Sequence, residues 1–180
     1  MSLRRPADLP RNAMASPIRI LPITLADQAE FLAAASRSRK LHHPWVSPPL
    51  GPSGFEALAT GAQGPVHRGY VVRHARTGEL VGFIAITNIV RGFFQSAYLG
   101  YYAFAGHERQ GLMRAALGLA VRRAFAELKL HRLEANIQPA NVASIALVRS
   151  CGFTKEGYSP RYLKIRGRWR DHERWAILAR

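Results

Sequence analysis

Between Gly111 and Leu128 the apolar residues Leu112, Met113, Ala116, Leu117, Ala120, Val121, Ala124, Phe125 and Leu128 recur at helical spacing and share one face. Arg114, Arg122, Arg123 and Glu127 fall elsewhere on that helix. Gln95 to Phe104, just before it, is rich in aromatic residues and reads as a strand, and His131 to Gln138, just after it, reads as another. A strand, a connecting helix and a strand this close in sequence imply a right-handed crossover between parallel strands. The predicted class is therefore mixed α/β (α+β), with a parallel βαβ unit at the centre of the sheet.

The rest of the chain points to antiparallel strands around that unit. Ile18 to Ile23 reads as a first strand, and Thr24 to Ser38 as a helix capped by Thr24 or Asp27. Gly69 to His74 and Glu79 to Ile86 read as a hairpin turned at Gly78. A helix is expected at Asn141 to Ser150, then strands at Phe153 to Ile165 and Arg168 to Leu178, hinged at Arg166-Gly167. Lys40 to Gly69, which contains HHPW and PPLGPSG, is weakly periodic and is expected to be an irregular binding loop. Residues 17–180 are expected to form one domain, behind a flexible basic tail at residues 1–16.

The first seventeen residues have no apolar run long enough for a signal-peptide core, and Leu80 to Val90 is too short to span a bilayer. With a lone Cys151 and no disulfide to form, the sequence predicts a soluble cytoplasmic protein without membrane contact. Lys and Arg number 26 against 11 Asp and Glu, a net charge of +15 that favours anionic partners. Either the arginines solubilise an ordinary surface or they attract nucleic acid, ribosome or a polyphosphate.

Two segments carry candidate chemistry. In AGHERQGLMRAA, Ala105 to Ala116, Gly111 opens the long helix at the carboxyl end of a central strand. Unpaired N–H groups and the helix dipole favour a phosphate there, with Arg109 and Arg114 adding charge. The plainer reading is that Gly111 permits a tight helix entry. Neither G-x-G-x-x-G nor G-x-x-x-x-G-K-[ST] is present. In N-x-x-S-x-x-L-x-x-x-C-G-F, Asn141 to Phe153, Asn141 is a good N-cap and Ser144 its N3 neighbour, with Val142, Ile145 and Val148 expected to face inward. No metal-ligand spacing occurs among the histidines, and Cys151 before Gly152-Phe153 reads as core.

These motifs, with NIVRGFFQSAYLGYYAF from Asn88 and EGYSPRYLKIRGRWRDHERWAIL from Glu156, resemble the GNAT acetyltransferases, and Q-G-L-M at Gln110 to Met113 resembles their ribosomal-protein-alanine branch, the RimJ and RimL type. The resemblance covers roughly residues 17 to 178. The family's Q/R-x-x-G-x-G/A loop falls on Glu108, Gly111 and Met113, so Glu108 departs from it. The resemblance implies a sheet splayed near Tyr101 to Ala103 and Leu133 to Ile137, flanked by helices, with acetyl-CoA in the opening. It implies pairing of the pantetheine amides with main-chain groups of Tyr101, Tyr102 and Ala103. The phosphates are expected chiefly on main-chain N–H groups of Arg109, Gln110, Gly111, Leu112, Met113 and Arg114, and the pantetheine arm on Asn141. The tyrosine that acts as general acid in many members is replaced by Val148, and the branch resembles this chain in having Ser144 as the group proposed to reprotonate the thiolate. A second capping hydroxyl is the alternative role of Ser144.

The implied function is acetyl transfer to a primary amine by direct attack, the acceptor being the α-amine of a protein N-terminus, with a ribosomal protein as one candidate. The acceptor's proton is expected to leave through water, since neither Glu134 nor Glu156 identifies itself as a base. Alternatives are a small amine such as an aminoglycoside, polyamine or amino acid, or a non-enzymatic ribosome- or RNA-binding module using Arg161, Lys164, Arg166, Arg168, Arg170 and Arg174. A homodimer is left open.

Overall fold

The computed structural model describes residues 16–179, so the expected tail lies, but for Ser16, outside the described residues. Among the described residues seven strands form one sheet: β1 (Ile18–Pro22), β2 (Arg68–His74), β3 (Leu80–Val90), β4 (Ser96–Ala103), β5 (Arg132–Ile137), β6 (Thr154–Ile165) and β7 (Arg168–Leu178). Their order is β1-β2-β3-β4-β5-β7-β6, and the pairings are antiparallel except between β4 and β5. That parallel pair is connected through α4 (Leu112–Ala126), the crossover read from its apolar stripe.

The parallel pairing is short. Ser96, Ala97 and Tyr98 face Arg132, Leu133 and Glu134, and there the ladder stops. β4 continues beside β3 as far as Ala103, and β5 continues beside β7 as far as Ile137. Both strands remain in the sheet while parting from each other, which opens a gap at their carboxyl ends.

Each face has its own core. On one, Leu112, Met113, Ala116, Leu117, Ala120 and Ala124 of α4 pack on Leu99, Leu133, Ala135 and Ile137, joined by Val148 of α5 (Val142–Ser150). On the other, α1 (Gln28–Arg37) brings Phe31 into an aromatic cluster, with ring centroids 5.1 Å from Phe55, 5.9 Å from Phe83 and 5.3 Å from Phe104. Such edge-to-face pairs add to the burial of apolar area that holds the layers together. β1 to β4 and the helices over them therefore make a fixed wall along one side of the gap.

Two expectations need correction. Lys40 to Gly69 is not irregular throughout: α2 (Arg39–His42) begins it and α3 (Pro52–Gly61) occupies much of its second half. Pro52 stands in the first turn, where its missing N–H costs nothing, and Phe55 and Ala59, four apart, are buried against α1. Val142 does not face inward but is 72% exposed. It is the first residue of α5, whose inward face is half-buried at Ile145 and fully buried only at Val148. Elsewhere the helix at Thr24 to Ser38 begins as a 3-10 turn at Leu25–Asp27, where the Thr24 N–H donates to Asp27 Oδ2 at 2.8 Å. Among the described residues no helix is long and apolar enough to cross a membrane.

Candidate active site

A cavity of about 710 Å³ lies where β4 and β5 part. Tyr101, Tyr102 and Ala103 of β4, the loop residues His107 to Arg109 and Gly111 to Arg114, and Asn141, Ala143, Ser144 and Leu147 around α5 line it. Leu41, His42, Trp45 and Val46 line its remaining side.

The strand's alternation decides which main-chain groups reach the gap. The Phe104 N–H donates to the Val81 carbonyl at 2.8 Å, which fixes the phase: Tyr102 turns its peptide groups to β3, and Tyr101 and Ala103 turn theirs to the gap. Of the three residues expected to offer main-chain partners, Tyr102 is committed to β3. Its carbonyl lies 2.6 Å from the position a Cβ at Gly82 would occupy, so β3 and β4 approach closely only because residue 82 is glycine. The Ala103 carbonyl accepts a bond from His42 Nε2–H at 2.8 Å. The Tyr101 N–H and carbonyl and the Ala103 N–H are left to face the gap.

At the cavity's other end the chain enters α4. Arg109 (φ 58°) and Gly111 (φ 74°) are both left-handed, and no atom lies within 4 Å of where a Cβ on Gly111 would be, so the space above it is open. The first intrahelical bond is Ala115 N–H to the Gly111 carbonyl, 3.1 Å, so the N–H groups of Leu112, Met113 and Arg114 have no helical acceptor. A 15-residue helix adds its positive end to those donors, and Arg109 and Arg114 line the same space. Glu108 is turned back: Oε2 accepts the Gly106 N–H at 2.8 Å. Gln110 also folds back, its Nε2 donating to the Gly106 carbonyl at 3.0 Å, and it is absent from the cavity wall. Its side chain braces the loop.

α5 brings the remaining groups. Asn141 caps it, Oδ1 accepting the Ser144 N–H at 3.2 Å. The Ser144 hydroxyl is engaged differently, 2.7 Å from the phenol oxygen of Tyr101. Burial pushes the Tyr101 phenol far above its ordinary range, so it stays protonated. With Tyr101 as donor in that bond, the Ser144 O–H is left to point elsewhere, and both residues border the cavity.

Sequence reasoning used only the main chain of Tyr101 and missed its phenol. The alternation along β4 was the available signal, because it puts residues 97, 99, 101 and 103 on the face covered by α4 and α5. His42 was missed as well, although HHPW opens the segment expected to bind. Neither Glu134 nor Glu156 stands on the cavity wall: both pair with Arg132, at the end of β5 where the parallel ladder is closed. The Arg132 guanidinium holds the Glu156 carboxyl below its usual range. Cys151 is half-buried with its thiol pushed up by burial, which disfavours the thiolate a nucleophile requires.

Burial lowers His42 and His172 from the ordinary 6.5, against an opposing bond from each ring to a main-chain carbonyl. The unfolded chain therefore takes up protons near pH 6.5 that the folded chain refuses. This stability is fully present above that pH and declines as pH falls towards the folded values. The urea midpoint is expected to drop between about pH 7.5 and about pH 5.5, and less so in His42→Asn/His172→Asn. An unchanged wild-type midpoint over that range contradicts this reading.

With this geometry the comparisons agree. Residues 18–154 match the model of the acetyltransferase (GNAT) domain. The chain is 41% identical over 104 residues, 58% of its length, to a Bacillus subtilis protein named as a probable N-acetyltransferase, YjcK. It is 43% identical over 94 residues, 52% of its length, to the ribosomal protein uS5-alanine N-acetyltransferase of Escherichia coli. The matched stretches span 58% and 48% of those two relatives, little more than half of one and just under half of the other. Mycobacterium smegmatis RimJ, solved in complex with CoA-disulfide, superposes with a TM-score of 0.83 over 90% of this chain and 82% of that one, at 28% identity. The chain belongs to the GNAT acetyltransferase family.

Proposed function

We propose that the protein transfers the acetyl group of acetyl-CoA to a primary amine, and that the acceptor is the α-amine of a protein N-terminus. The observation that carries this is the cavity itself. It joins an anion-binding helix start at one end to a serine–tyrosine hydroxyl pair further in, across a gap edged by main-chain groups. The residues fit the donor in parts. The N–H groups of Leu112 to Arg114, with Arg109 and Arg114, suit a diphosphate; the Tyr101 and Ala103 main-chain groups suit amides, as an added strand would. The Asn141 side chain, with Oδ1 committed to the cap, keeps its N–H₂ for the same arm.

In this reading a neutral amine attacks the thioester carbon. A C–N bond forms, the C–S bond breaks, and the amine's extra proton leaves through water. A gap-facing main-chain N–H polarises the carbonyl oxygen and holds its developing charge. Ser144 gives its proton to the departing sulfur while Tyr101 donates to the Ser144 oxygen, and the proton that the attacking nitrogen loses on becoming an amide returns through water to restore the serine hydroxyl. The E. coli relative is named for N-acetylation of an alanine of a ribosomal protein, which supports a protein acceptor. The test is thiol release from acetyl-CoA with N-terminal peptides beside polyamines, aminoglycosides and amino acids. Peptides are expected to give kcat/KM about a hundredfold above the small amines, through binding energy from residues beyond the amine. A small amine that matches the best peptide overturns the acceptor assignment.

A further inference from the structure

The hairpin of β6 and β7 extends past the end of β5, which meets β7 at Asn136–Arg174 and Ile137–Glu173 and goes no further. Residues 168 to 172 of β7 therefore project beyond the carboxyl ends of the splayed pair, beside the mouth of the gap. Strand alternation puts Arg168, Arg170 and Arg174 on one side together with His172. Through Glu134–Ala176 and Tyr98–Glu134 this is the side opposite α4. The donor's helix loop fills the α4 side, so the amine's approach runs past these arginines.

All three arginines are exposed, and among the described residues none lies within ion-pair distance of a carboxylate. The carboxylates nearby each already hold a donor. Asp171 accepts the Tyr158 hydroxyl and, at 2.7 Å, the Arg161 N–H; Glu173 takes Lys155 and the Trp175 indole N–H; Glu134 and Glu156 take Arg132. Among the described residues this side of the hairpin thus presents Arg168 and Arg170 without a carboxylate partner, the Arg174 guanidinium lies over Gly157 of β6, and each nearby carboxylate is already hydrogen-bonded. A polycationic acceptor meets repulsion there, whereas a carboxylate finds guanidinium forks.

Resting on the acetyl-transfer reading, we infer that the acceptor is an acidic peptide, with Asp or Glu in its first few residues after the N-terminal amine. From Arg174 to Arg168 an extended strand covers about 20 Å, the reach of roughly six residues of a bound chain. The acidic positions lie within that span of the amine.

The test uses the full chain, acetyl-CoA and three peptides of one length with N-terminal Ala, followed by acidic, neutral or basic residues. Spermidine is a fourth acceptor, and kcat/KM is read at about 0.05 M and about 0.5 M salt. The acidic peptide is expected to exceed the neutral one about tenfold at low salt, the sum of three modest exposed pairs, with the basic peptide and spermidine slower still. The ratio shrinks at high salt and falls to about one in Arg168→Gln/Arg170→Gln/Arg174→Gln; the salt arm reads the same effect without any substitution. Equal rates for acidic and neutral peptides, or faster transfer to spermidine, overturn the inference and leave acetyl transfer standing. If no amine is acetylated although acetyl-CoA raises the melting temperature, the parent reading fails and this one falls with it. A single-stranded RNA that binds through these arginines without slowing peptide transfer assigns them to nucleic acid and also overturns it.

Discussion

Replacing Ser144 with Ala is expected to lower the turnover number at least tenfold, and by as much as the hundred- to ten-thousand-fold typical of a lost general acid, while acetyl-CoA affinity changes little. The alternative role, a second capping hydroxyl, predicts a different result. α5 is capped by Asn141 Oδ1 on the main-chain N–H of residue 144, a bond that alanine keeps, whereas the Ser144 oxygen bonds Tyr101. The variant should therefore melt close to wild type. Tyr101→Phe removes the donor behind Ser144 and is expected to lower turnover in the same direction but less, with the double variant no worse than Ser144→Ala alone. Independent, multiplicative losses would show that the two hydroxyls do not act as a unit. Wild-type turnover in Ser144→Ala would leave the thiolate to take its proton from water or from the acceptor. A tyrosine restored at 148 is a poor rescue, because Val148 is fully buried between α5 and the sheet and a larger ring overpacks that site.

Gly111→Asp is expected to abolish acetyl-CoA binding, raising Kd at least a hundredfold. Two effects add: an aspartate strains a left-handed φ of 74°, and its carboxylate occupies the open space that the donor's diphosphate would take. Because nothing lies within 4 Å of that Cβ, the side chain meets no packed neighbour and the fold should survive. Gly111→Asn isolates the charge, since asparagine matches aspartate in size and meets the same left-handed φ but carries no charge. If Asn binds nearly as well as wild type and Asp does not, charge dominates. Unimpaired binding by both would place the phosphates elsewhere.

The legible parts of this chain are those where local chemistry and tertiary structure agree. α4 announced itself because its apolar stripe packs along one face of the sheet, and Asn141 because a cap is a local bond. The segment from Lys40 to Gly69 misled because proline and glycine mark turns on average, yet Pro52 at a helix start is compatible with the helix it opens. Val142 misled because periodicity gives a direction around a helix and not where the covering layer ends. In the site, glycine-rich loop geometry and the Ser144 position are properties of short stretches and could be read. Tyr101 with Ser144, and His42 with Ala103, join residues 43 and 61 apart in sequence, contacts that exist only once the sheet has formed. The return of Glu108 and Gln110 to Gly106 depends on the left-handed residue between them, which no composition rule supplies.

The most direct test of the account is the melting temperature of the wild-type protein with and without acetyl-CoA. At about a hundred times its dissociation constant, a ligand bound to the folded state alone adds about 2.7 kcal/mol, a rise of roughly 5–11 °C for a chain of this size. The account predicts that rise for wild type and its loss in Gly111→Asp. An unchanged melting temperature in a protein shown to be native, at saturating acetyl-CoA, would contradict it.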